Sequence, residues 1–218
     1  MLFWYRSNTH CYLEAPEWLK LYASLAVETP FLTARSPLGV KLHLFGFTIP
    51  GLWHDVDHAI NSPGFLAGHS LTDLEAHCRK AHAQLLDWIE DYKEHCVRLA
   101  LTRLPATELA YRRHWYAMTL KCQIFVNRLM ATICEADRIA LEHDSQALAN
   151  SILDLQKQPS DRHSWLFSGQ ELGFAYAVLV GRDNWEEDVS NTSPEEQRHA
   201  ARRRYNAWSG SLRAEVNC

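Results

Sequence analysis

Motifs that would name a reaction are missing from this chain. It has no GxSxG turn, no phosphate-binding glycine loop and no GxGxxG. Hydrolase, nucleotide-binding and dinucleotide-binding readings therefore have no support, and any catalysis would be cofactor-free. No two cysteines form a CxxC pair. Cys11, Cys78, Cys96, Cys122, Cys134 and Cys218 are scattered, which argues against a zinc ribbon or a disulfide scaffold. Reduced thiols in the cytoplasm or nucleus fit that spread best. No stretch approaches 18 apolar residues without charge, so no membrane span is expected. The basic excess of a nucleic-acid binder is absent too: 22 Lys and Arg face 26 Asp and Glu, for a net charge of −4. Sustained period-two alternation, internal repeats and low-complexity tracts are all lacking, so strands and repeat architectures are not expected. The opening MLFWYRSNTH is not a signal peptide, and its abrupt start suggests a chain cut from something longer.

What the chain does have is apolar residues and tryptophan. Of 218 residues 47% are apolar, with eight Trp, enough for one sizeable core. The stretch Thr107 to Cys134 reads as one helix of about seven turns, led in by Pro105. Trp115, Met118, Cys122, Phe125, Leu129 and Ile133 make one apolar stripe along it. Tyr116, Leu120, Ile124 and Met130 make another. A helix apolar most of the way round is buried, so 107–134 is expected at the centre of the fold. Its polar residues, among them His114, Lys121, Gln123, Asn127 and Arg128, then need partners, because an unpaired buried polar atom costs about 1–3 kcal/mol.

Around that element the pattern predicts an all-α single domain of about eight helices over residues 1–218. A first helix is expected over 2–14 and a short one after Pro16. Ser36-Pro37 is a capped start with proline at the first helical position. Ile49-Pro50-Gly51 is expected to break that helix and open another, GLWHDVDHAI. A long amphipathic helix follows over 70–98, with Thr72 and Glu75 as a capping box. Helices are expected through Leu155, over 164–180 up to Gly181, and from Ser193-Pro194 to the end, where ARRRYNAW places cations favourably for the helix dipole.

Four segments in this order carry a resemblance: Pro16-Glu17-Trp18, the stretch from Ile49 to Asp57, Val126-Asn127-Arg128-Leu129, and the closing RRRYNAW. Together they resemble the C-terminal helical region of fungal zinc binuclear-cluster transcription-factor-like proteins, over nearly the whole chain. The cluster of six closely spaced cysteines and basic residues that reads DNA in such regulators is absent here, so DNA binding does not transfer. The resemblance implies the helical fold, a fungal origin and a link to secondary-metabolite gene clusters. A shortened member is either a residual regulatory module or one whose cavity serves small-molecule chemistry.

Candidate chemistry is sparse. His54-Asp55-Val56-Asp57-His58 sets two histidines at i and i+4, a spacing that can hold a metal. The glutamate of HExxH is missing and no third ligand is evident, so a solvated face is expected and no metal or other cofactor is assigned. Cys78 and His82 share the spacing, but Cys78 falls on an apolar stripe. On the central helix Tyr111, His114 and Lys121 share a side and are the candidate catalytic residues. Trp115, Asn127, Trp165, Phe167 and Glu171 are the candidate substrate-binding residues. Such a pocket could fold a flexible polyene and stabilise charge on a carbonyl. The alternative is that His114 and Lys121 snorkel to the surface and that Asn127 and Arg128 are structural. The expected function is a cofactor-free cyclase or isomerase, of pericyclase type, in fungal secondary metabolism. The alternative is a regulatory or effector-binding module without DNA-binding activity. The expected partner is a small hydrophobic metabolite, with no nucleic acid and no membrane; a homo-oligomer is left open.

Overall fold

The computed structural model describes residues 10–62, 71–99, 104–157, 169–187 and 191–215. Eight α-helices and no strand occur among them: α1 (Pro16–Ala23), α2 (Pro37–Asn61), α3 (Leu71–Leu99), α4 (Ala106–Ile133), α5 (Arg138–Lys157), α6 (Gly169–Val180), α7 (Arg182–Glu186) and α8 (Pro194–Glu215). Local chemistry sets several of their ends. The Ser36 hydroxyl accepts from the Gly39 amide at 3.2 Å, with Pro37 in the first turn. At α8 the Ser193 hydroxyl accepts from the Glu196 amide, while the Glu196 carboxylate accepts from the Ser193 amide at 2.8 Å. That is a reciprocal capping box.

The expected all-α domain is present, and α4 is its centre. It packs against α2, α3, α5, α6 and α8, and every residue from Ala117 to Thr132 except Lys121 is buried. Trp53 of α2 stands edge-on to Phe125 at 5.5 Å, and Trp208 of α8 lies 5.1 Å from the same ring. The polar groups inside α4 mostly find partners. Arg128 donates twice to Glu142 of α5, and Asn127 donates to Asp144 at 3.2 Å. Arg112 and Glu108, paired at 2.7 Å, anchor the segment before α2 through the Pro30 carbonyl and the Leu32 amide.

Three expectations need correction. Residues 12–14 form a single 3-10 turn rather than the end of a long helix, and 1–9 lie outside the described residues. Pro50 does not divide two helices: α2 runs on for 25 residues through it. Leu42, Ile49, Leu52, Trp53 and Val56 on both sides of the proline are all buried, and that shared burial outweighs one missing N–H. The arginines of α8 serve as clamps rather than as dipole partners. Arg204 reaches Glu135 at 2.7 Å, and Arg202 donates to the Ile60 carbonyl at 2.8 Å. As expected, α6 ends at Val180 with Gly181 behind it; that glycine, at φ of −83°, leads directly into α7. No helix among the described residues is long and apolar enough to cross a membrane, and the five described cysteines are free thiols.

Candidate functional site

A groove of about 710 Å³ opens between α2 and α3. Its floor follows from helical spacing. Leu42, Phe45 and Leu52 of α2 repeat at intervals of three and seven, and Ala81, Leu85 and Trp88 of α3 at four and three. Each set therefore lies on one face, and the two faces meet. Leu19 and Ala23 of α1 close the third side.

The groove has two polar ends. At one, Lys41 bridges to Asp91 of α3 at 2.6 Å, and the Trp88 indole donates to the Leu38 carbonyl at 2.8 Å. The other lies 14 residues further along α2, about 21 Å at 1.5 Å per residue, beside Asp55. There His10 is held from both sides. Its Nδ1 stands 3.0 Å from Glu14 Oε2 and its Nε2 3.1 Å from Asp55 Oδ1. The hydrogen bond to Glu14 raises the His10 pKa, against partial desolvation, with Asp55 adding to the rise. Glu14 also accepts from the Gly51 amide at 3.2 Å. The bare Gly51 leaves room for this pair: a Cβ there would stand 2.5 Å from Glu14 Oε1 and 2.7 Å from His10 Nδ1, so both side chains would have to shift. The His54 ring lies 5.3 Å from that of His10, and His77 and Lys80 line the groove from α3.

The structure distributes the residues expected to form a site on the central helix. His114, Lys121 and Glu171 do come together on the seam between α4 and α6. His114 Nδ1 is 3.9 Å from Glu171 Oε1, and Lys121 Nζ sits 5.3 Å from the centre of the Phe174 ring. Glu171 is buried, and its Oε2 has no hydrogen-bond partner among the described residues. Beneath them the Cys122 thiol is pushed up to about 12 by burial. The other candidates point elsewhere. Tyr111 is 48% exposed. Trp115 turns toward α2, where its ring meets His43 edge-on at 5.2 Å. Asn127 is buried against α5. Trp165 and Phe167 lie outside the described residues.

The HDVDH segment also divides in a way its spacing does not show. His58 is exposed, as expected of a solvated face. Asp57 is drawn inward, accepting from the Tyr205 hydroxyl at 2.9 Å, which itself accepts from the buried Trp53 indole at 2.8 Å. Asp55 faces the groove and His10. Sequence reasoning missed His10 because nothing local marks a residue whose partner lies 45 positions away.

Fold and groove together define a helical domain with an amphiphilic cleft between α2 and α3. No protein-family model, curated protein or solved structure matches this chain. The functional reading therefore rests on the site itself.

Proposed function

We propose that this chain binds a small, mostly apolar metabolite in the groove between α2 and α3, as the effector-binding module of a fungal regulator-like protein. The observation that carries this is the cleft itself: about 710 Å³, with an apolar floor and a charged group at each end. That volume is in the usual range for small-molecule sites, and a dominant apolar surface with a few oriented polar groups is their usual chemistry. The net charge of −4 supports a role that does not involve direct DNA contact. Free thiols in the chain fit a cytoplasmic or nuclear setting.

A second reading is favoured by one specific observation, the His114–Glu171 pair beside Lys121. A buried carboxylate next to a histidine can serve as an acid–base couple, and with it the chain would be a cofactor-free cyclase or isomerase. Such a site would orient one conformer of a flexible precursor, as restricted placement alone can accelerate an intramolecular closure.

The test separates the two. Gln84 is exposed and lines the groove, so Gln84→Trp should block it without disturbing the core. Thermal-shift screening against amphiphilic metabolites should give hits with the unaltered chain that vanish in Gln84→Trp. Metabolite and transcript profiles of a deletion strain then decide between them. Silencing across a gene cluster supports the module. A stalled uncyclised precursor with unchanged transcripts supports the enzyme. Hits that survive in Gln84→Trp would overturn the assignment of the groove.

A further inference from the structure

We propose that His10, His54 and Asp55 form a binding site for a divalent transition-metal ion, zinc by preference, at the polar end of the groove. One ligand atom from each lies within 4.8 Å of the other two. Two imidazoles and a carboxylate are a donor set that zinc accepts in open, three-ligand sites. The i, i+4 histidines of HDVDH lacked a third ligand in the sequence, and His58 is not the second one. The ion's ligands are instead adjacent on α2, and His10 bridges them from outside the helix. Its Nε2 is 3.1 Å from Asp55 Oδ1 and its ring 5.3 Å from that of His54.

The surroundings of His10 fit a ligand better than a surface residue. With Nδ1 3.0 Å from Glu14 and Nε2 3.1 Å from Asp55, His10 can keep its Nδ1 proton on Glu14 while an ion displaces the proton that Nε2 shares with Asp55, so that Nε2 becomes the ligand atom. A carboxylate behind a histidine is the usual outer support of a metal-bound imidazole. Glu14 is itself held by the Gly51 amide, and the missing side chain at Gly51 makes room for both groups. Donor atoms around a tetrahedral zinc stand about 3.3 Å apart, so the three must close by up to about 1.5 Å. His10 can supply most of that movement, because its side chain is 58% exposed and it precedes a single 3-10 turn. Three protein ligands leave a fourth position open beside the groove, for water or for an oxygen or nitrogen of a bound molecule. The site stands whether or not the groove holds a metabolite.

The experiment uses the untagged full chain, stripped with a chelator and titrated with zinc sulfate and separately with cobalt chloride. One equivalent of zinc should bind by calorimetry. Cobalt should give the visible bands of a tetrahedral nitrogen and oxygen site without a thiolate charge-transfer band, which excludes the cysteines. His10→Ala, His54→Ala and Asp55→Asn should each abolish binding with the circular dichroism spectrum unchanged, while His58→Ala should retain it. Glu14→Gln should weaken it roughly 10- to 100-fold, the range for outer-shell partners. Binding well below one equivalent, binding that survives His10→Ala, or a thiolate band with cobalt would each overturn the proposal.

Discussion

Replacing Arg128 tests the physical account of this core most directly. The guanidinium is 2% exposed and its partner Glu142 fully buried. Nε donates to Oε2 at 3.1 Å and Nη2 to Oε1 at 2.8 Å, with a further bond from Nη2 to the Val178 carbonyl at 3.2 Å. Trp185 and Trp208 flank the cation at 5.0 and 5.9 Å. Arg128→Met removes the charge and leaves Glu142, among the described residues, with the Gln146 amide at 3.4 Å. Breaking one side of a buried pair costs about 3–5 kcal/mol, because the remaining charge has lost its compensation. For a domain of this size that corresponds to a fall in Tm of roughly 6–20 °C. Arg128→Met combined with Glu142→Leu takes out both charges at similar volume, so most of the loss should be recovered. The pH dependence has a definite sign. Burial already holds the Glu142 carboxyl above its usual range, with Arg128 opposing. Without Arg128 that rise grows. A folded-state pKa above the unfolded one gives stability that is complete below the unfolded value and lost as pH rises through the folded one. The deficit of Arg128→Met should therefore be largest at neutral pH and shrink as pH falls toward the ordinary glutamate range. Urea unfolding at several pH values reads all three quantities. A single variant within about 1 kcal/mol of the parent at neutral pH, or a double variant no better than the single, would refute the reasoning.

Other outcomes follow from the same structure. Tyr205→Phe takes away the acceptor of the Trp53 indole and the donor to Asp57, and should cost about 1–3 kcal/mol in denaturant unfolding. His43 and His82 are both held below the usual histidine pKa, first of all by burial. The unfolded chain then takes up protons that the folded chain resists, so stability should decline as pH falls below about 6.5. His43→Gln should flatten that decline; an unchanged slope would remove His43 from the account. Gly51→Ala should leave Tm unchanged or slightly higher, since alanine is the better helix former. It should nonetheless displace Glu14 and His10 and weaken zinc binding, which calorimetry on the same variant checks.

Much of the fold was legible because its causes are local. Ser36-Pro37 and Ser193-Pro194 start helices with bonds that span three residues. The apolar cover all round Ala117 to Thr132 marks a helix that must be surrounded, and α4 is. Misreadings occurred where a local preference met a tertiary one. Pro50 is a helix breaker by itself, yet burial on both sides of it carries α2 through. Trp115 and Asn127 share a helix with His114 and Lys121, but their neighbours belong to α2 and α5 rather than to a common cavity. The groove is a product of two helices approaching, each presenting a face the sequence shows only as half of a pattern.

Helical period, the Ser36 and Ser193 caps and the all-α class were thus determined by the sequence alone, because they depend on residues one to four positions apart. The site was decided by tertiary structure alone. His10 meets Asp55 across 45 residues, and no periodicity encodes such a contact. The distances among the groove side chains depend on where packed helices bring distant residues, and packing energy is summed over the whole core.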